Sequence, residues 1–112
     1  MRTLLIGDVV GRAGRQVVAE RLPHLIDHLG LDFVILNGEN ATHGFGLSPE
    51  HAQAFFEAGV DCIILGNHSF DRKEIIPMLE QDERILRPIN YPDSTPGRGA
   101  ALLTGRNGHR VG

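Results

Sequence analysis

Asp32-Phe33-Val34-Ile35-Leu36-Asn37-Gly38-Glu39-Asn40 is the stretch on which the fold turns. Residues 32–36 form an apolar run without polar alternation, the pattern of a strand covered on both faces and so of a parallel sheet. Gly38 lets the chain bend sharply as it leaves that strand, and the two residues after it carry oxygen donors. The pattern repeats on either side. Residues 3–6 are followed by Gly7-Asp8, and residues 61–65 by Gly66-Asn67-His68.

The segments between these runs have helical spacing. Val18, Leu22, Leu25 and Leu29 form a stripe in a helix expected from about residue 13 to residue 29, with Gly30 as its C-terminal cap. Pro23 falls inside it and should kink or split it. Ser48 followed by Pro49 signals the start of a second helix, with Ala52, Phe55 and Phe56 on its buried face and Gly59 at its end. Asp71, with Glu74 three residues on, predicts a capping box for a third helix running to about residue 80. A fourth strand is expected over residues 85–87. This alternation specifies an α/β fold: a parallel sheet flanked by helices and joined by right-handed crossovers. Beyond it, Pro88, Pro92 and Pro96 punctuate a polar loop, residues 100–103 resemble another strand, and Asn107-Gly108 is a hairpin turn signal.

The 112 residues suffice for one small domain, and 41% hydrophobic with 22% charged residues is an ordinary globular composition. A net charge of −3 offers no basic footprint, so stable nucleic-acid binding is not expected. No run reaches the ~20 apolar residues of a membrane helix, and residues 3–6 are too short for a signal peptide. The one cysteine, Cys62, lies in an apolar run and builds no disulfide framework. It is expected to be a small buried hydrophobe in a reducing, cytoplasmic setting.

In a parallel sheet the loops after the strands emerge at one edge, where ligands bind. That edge should carry Asp8, Glu39, Asn40, Asn67 and His68, delivered by three separate segments. Two carboxylates and two amide oxygens suit hard or borderline divalent ions. Two such ions roughly 3.5–4 Å apart clamp a phosphoryl group and activate water. Histidine is the residue type that exchanges protons near neutral pH, so His68 could protonate a leaving oxygen. Each cluster alone has a plainer reading: Asp8 as a cap, Glu39-Asn40 as solvated loop, Asn67 as a turn former, His68 as an exposed histidine. Asp71 is assigned to helix capping. His24, His28, His51 and His109 are placed on the surface, and His43, in the glycine-rich residues 43–46, could line the site.

These residues resemble the calcineurin-like metallophosphoesterase superfamily, with its GD and GNH turns, and more closely its YmdB-like branch. The matching stretches are IGDVVGRAGR (residues 6–15), DFVILNGENATHGFGL (32–47), AGVDCIILGNHSFD (58–71) and RPINYP (87–92). The resemblance implies the amino-terminal half of a metallophosphoesterase α/β sandwich, with a domain over residues 1–112 truncated at its carboxyl side. It also implies two divalent ions, iron or manganese. Asp8 would bind one, Glu39 would bridge both, Asn40 would support the first, Asn67 would bind the second, and His68 would be the proton donor. The reaction implied is metal-dependent phosphodiester hydrolysis, with 2′,3′-cyclic and 3′,5′-cyclic nucleotides as substrates.

Asp8-Val9-Val10 lacks the histidine of the wider superfamily's Asp-x-His, an absence the YmdB-like branch shares. The family also draws histidine ligands from a GTHTH-like segment of its carboxyl half, and this chain contains no such segment. The chain alone is therefore expected to bind ions weakly and to turn over little substrate. Apolar sheet surface left by a half-domain favours association, homo-oligomers included. The main alternative is a non-catalytic regulatory or nucleotide-binding fragment on the same fold. Residues 7–14 follow a strand and open a helix as phosphate-binding loops do, but they lack the Gly-Lys-Ser/Thr of a P-loop. A serine esterase with a GDS motif is set aside by Val9, which stands where the nucleophile would be needed.

Overall fold

The computed structural model describes residues 1–112. The elements follow in the order β1 (Thr3–Ile6), α1 (Gly11–Leu29), β2 (Phe33–Asn37), α2 (Pro49–Ala58), β3 (Cys62–Ile64), a 3-10 turn (Lys73–Ile75), α3 (Ile76–Gln81), β4 (Ile85–Leu86), β5 (Leu103–Thr104) and β6 (Arg110–Val111). The first four strands form one parallel sheet in the order β1-β2-β3-β4, with Leu5 opposite Ile35, Ile35 opposite Cys62, and Ile63 opposite Ile85. β5 and β6 make a separate antiparallel pair closed through Asn107-Gly108, where Gly108 has φ +82°. No helix is long and apolar enough to cross a membrane.

Because strand order follows chain order, right-handed crossovers place all the helices on one face of the sheet. Val34, Leu36, Ile63 and Ile85 point to that face. They share a single core with Val18 and Leu22 of α1, Ala52 and Phe55 of α2, and Leu79 of α3. Burying each of the larger side chains contributes about 1.5–3 kcal/mol. The other face departs from the expectation of strands covered on both sides. Leu5 there is 64% exposed, and only the β5–β6 hairpin with Ala101 shelters Ile35, Ile64 and Leu86.

The hairpin is fastened at the sheet's other end, where the strands begin. Arg106 donates from Nη1 to Asp61 Oδ2 at 2.5 Å, from Nη2 to the Gly59 carbonyl at 2.5 Å, and from its backbone N–H to the Asp32 carbonyl at 2.9 Å. Asp61 Oδ2 also accepts from the Val34 N–H at 2.8 Å. This clasp places β5 at Leu103–Thr104, further along the chain than the residues 100–103 expected for it.

α1 runs unbroken through Pro23, which sits on its exposed side. Its buried stripe is also rotated from the expected one. Val18 and Leu22 are buried and Ile26 packs against the core, whereas Leu25 and Leu29 are 39% and 40% exposed. A spacing of four and four, rather than four and three, meets the sheet. Gly30 ends the helix in the left-handed region at φ +58°, with its N–H on the Ile26 carbonyl. α2 is capped as expected, Ser48 Oγ accepting from the His51 N–H at 3.2 Å. The third helix differs. The capping position before the 3-10 turn is Arg72, which makes no side-chain cap, and α3 starts only at Ile76. Asp71 has another partner.

Candidate active site at the sheet edge

β1, β2 and β3 end at the same edge, and backbone bonds tie together the loops that leave them. The Val9 N–H donates to the Asn37 carbonyl at 3.2 Å, Gly38 to Ile64 at 3.0 Å, and Gly11 to Asn40 at 3.1 Å. Val9 is buried in the core, so Asp8, one residue before it, is held at the exposed rim.

Asn40 Nδ2 donates to both oxygens of Asp8, at 2.9 and 3.0 Å. Next along the chain, Glu39 turns the other way. Its Oε2 accepts from the His68 N–H at 3.3 Å, and its Oε1 from Asn37 Nδ2 at 3.4 Å. The carboxylate lies so close over Gly66 that a Cβ there would stand 2.6 Å from Glu39 Cδ. Only glycine leaves that space. Asn67 Nδ2 sits 3.4 Å from His68 Nε2, and the turn carrying both is drawn tight by Ser69, whose Oγ donates to the Gly66 carbonyl at 2.5 Å. The five residues singled out from the sequence thus form two hydrogen-bonded groups on one rim, Asp8 with Asn40 and Glu39 with His68 and Asn67, joined through the Glu39–Asn40 peptide.

Asp71 joins the second group rather than capping a helix. Its Oδ2 lies 2.6 Å from His68 Nδ1. A carboxylate accepts, so Nδ1 carries the hydrogen, and Nε2 is left facing Asn67. This partner was legible in principle, because His68 and Asp71 are three residues apart on a turn that follows a strand.

His51 is likewise not the plain surface residue expected. Its Nδ1 lies 2.8 Å from the hydroxyl of buried Thr42, which itself accepts from the Ser48 N–H at 2.8 Å. The Thr42 hydroxyl thus ties the His51 ring to the start of α2. Burial, and then the nearby Arg15 guanidinium, lower the pKa of His51. Arg15 also braces this loop, donating to the Ala41 carbonyl at 2.7 Å. His43 adopts φ +54° and meets the His51 ring edge-on at 6.4 Å, with no hydrogen bond to any of the five site residues. His24, His28 and His109 are exposed as expected.

The donors suit an oxygen-seeking divalent ion in kind, being two carboxylates and two amides. The Asp8 carboxylate, met here only by an amide, is where such an ion would replace a hydrogen bond. In number they are few. Nowhere in the chain do three His, Cys, Asp or Glu side chains gather closely enough to hold an ion. Cys62 is no candidate ligand: burial pushes its thiol up to about 11.

A family model described as YmdB-like protein matches residues 4–112. The chain belongs to the YmdB-like family. A 2′,3′-cyclic-nucleotide 2′-phosphodiesterase of Bacillus subtilis is 44% identical over 103 residues, covering 92% of this YmdB-like chain and 39% of that protein. Among solved structures, a hypothetical protein from Thermus thermophilus superposes with a TM-score of 0.88 at 44% identity, over 98% of this chain and 42% of that one. A phosphatase from Mycoplasma pneumoniae gives 0.83 at 35% identity, over 90% and 37%. The α/β fold is thus shared with phosphatase structures, and this chain spans about two fifths of the length of the relatives it matches.

Proposed function

We propose that this YmdB-like chain supplies one half of a metal-dependent phosphodiesterase site, acting in a cytoplasmic setting on small phosphodiesters, 2′,3′-cyclic and 3′,5′-cyclic nucleotides among them. The observation that carries the reading is the meeting of Asp8, Glu39, Asn40, Asn67 and His68 on one rim, from the ends of three strands. Asp8 and Asn40 would hold one ion, Asn67 a second, and Glu39, next to Asn40 in the chain and bonded to the His68 N–H, would serve both. When bound, such ions, iron or manganese, would neutralise phosphoryl charge and provide an activated water.

The chain's own residues do the rest. Asp71 holds the His68 ring in one tautomer, with Nε2 beside Asn67. From there the ring, once it carries a second hydrogen on Nε2, would deliver that proton to the oxygen that leaves phosphorus and keep the Nδ1 hydrogen on Asp71, one phosphorus–oxygen ester bond breaking as the oxygen of water forms the new one. Gly66 keeps the space that Glu39 occupies. With two carboxylates against the four positive charges of two ions, the chain alone binds them weakly and retains much coordinated water.

The test is a Mn²⁺ titration of the chain followed by electron paramagnetic resonance, repeated with Asp8→Asn and Glu39→Gln together. Weak binding that disappears in the double variant is expected; binding unchanged in that variant sinks the assignment. Hydrolysis is read in a full-length relative carrying residues 1–112 in place of its own. There His68→Ala should lower kcat by about 10²- to 10⁴-fold, the range for a lost general acid.

A further inference from the structure

We infer that Phe45, on the loop that leaves the Glu39 turn, is a stacking platform for the nucleobase of a nucleotide substrate bound at the rim. The inference rests on the phosphodiesterase reading for its substrate class. It rests on geometry of its own for the place.

Phe45 is a large aromatic left 49% exposed on a loop that is otherwise tightly built. Its N–H donates to the Thr42 carbonyl at 3.2 Å, and the next residue, Gly46, donates its N–H to the Glu39 carbonyl. Gly46, at φ +77°, lies against Arg72: a Cβ there would stand 2.6 Å from Arg72 Cγ. Arg72 then reaches back, with its Nε 3.5 Å from the Phe45 carbonyl and its guanidinium carbon 5.2 Å from the Phe45 ring centroid. Arg72 directly follows Asp71, the partner of His68, and the His68 N–H returns to Glu39. The contacts close a circuit: Glu39, Gly46, Arg72, Asp71, His68 and Glu39 again. Phe45 borders this circuit, next to Gly46 in the chain and beneath the Arg72 guanidinium.

That location has chemical meaning. In a nucleotide diester the phosphate held at the rim carries its nucleoside through ribose oxygens, so the base extends outward over a loop that borders the rim. A base reaching outward from there meets an aromatic face. Arg72 covers one face of the ring by a cation–π contact and pins it, while half of the side chain remains open to solvent. An exposed phenylalanine held in this way offers a flat, preorganised surface, and every base has a π-face to lay on it. Stacking does not discriminate strongly between bases, so the platform predicts a preference for nucleotides over baseless phosphodiesters.

Adenosine, which has no phosphate, isolates the platform from the phosphoryl chemistry. Saturation-transfer difference NMR on the 112-residue chain should show adenosine base protons more strongly saturated than its ribose protons. Phe45→Ala should weaken adenosine binding by about 5- to 100-fold, and Phe45→Trp should retain it. Because the side chain is half exposed, the alanine variant should keep the wild-type circular dichroism spectrum. Adenosine binding equal in Phe45→Ala and wild type, or absent from wild type, overturns the inference. The two readings fail separately: loss of the Mn²⁺ dependence on Asp8 and Glu39 would remove the hydrolase while leaving adenosine stacking intact.

Discussion

Gly66→Ala moves Glu39 without deleting any donor from the rim, and so asks whether the rim is assembled around that carboxylate. Gly66 does not sit in the left-handed region, so alanine meets no backbone strain there. The new Cβ would lie 2.6 Å from Glu39 Cδ, against an ordinary carbon contact of about 3.5–4.0 Å. Glu39 must therefore retreat by about 1 Å. Its bonds from the His68 N–H and Asn37 Nδ2 are already long, at 3.3 and 3.4 Å, and neither survives such a shift. Two lost hydrogen bonds of about 0.5–1.5 kcal/mol each cost about 1–3 kcal/mol. For a domain of this size the melting midpoint should fall by roughly 5–15 °C, followed by far-ultraviolet circular dichroism. Mn²⁺ affinity should fall about 10- to 100-fold, as when a residue that orients a ligand is changed. A variant with wild-type midpoint and wild-type Mn²⁺ titration would refute the reasoning.

Cys62 should react with a thiol reagent only as fast as the chain opens, since it is buried and its thiol is pushed up to about 11; rapid stoichiometric labelling of the native chain would contradict this. Acid should destabilise the fold through two groups. His51 has a pKa lowered from 6.5 by burial, so the unfolded chain takes up the proton first; stability is complete above that value and declines as pH falls below it. Denaturant midpoints measured from pH 7.5 to pH 5 should fall in the wild type and fall less in His51→Gln; identical slopes would count against a lowered pKa at His51. At lower pH Asp82, held down chiefly by the Arg84 side-chain hydrogen bond, adds a second loss as pH drops through its folded pKa, and Asp82→Asn should remove that component from the acid limb.

The strand ends were legible because local signals and global topology agree there. An apolar run followed by glycine fixes both the strand and the turn out of it, and a parallel arrangement brings the turns to one edge. Nothing longer in range was needed to gather Asp8, Glu39 and Asn67. Asp71 was misplaced for the opposite reason. A capping box and a histidine partner have the same local appearance, and only the short turn held by Ser69 decides between them. Periodicity located α1, but its buried stripe depends on where the sheet lies, which brought Ile26 inward and left Leu25 and Leu29 outside. The helix that carries His51 gives no sign of its partner, because Thr42 comes from the preceding loop. The one-sided sheet follows from strand order, and no single stretch encodes that.

The Arg106 clasp binds Asp61, Gly59 and Asp32 where β2 and β3 begin, at the opposite pole from the rim where Asp8 and Glu39 sit. The hairpin's anchorage and the candidate chemistry therefore lie at opposite ends of the strands. An engineer could screen substitutions around Arg106 for heat tolerance alone while leaving the rim untouched.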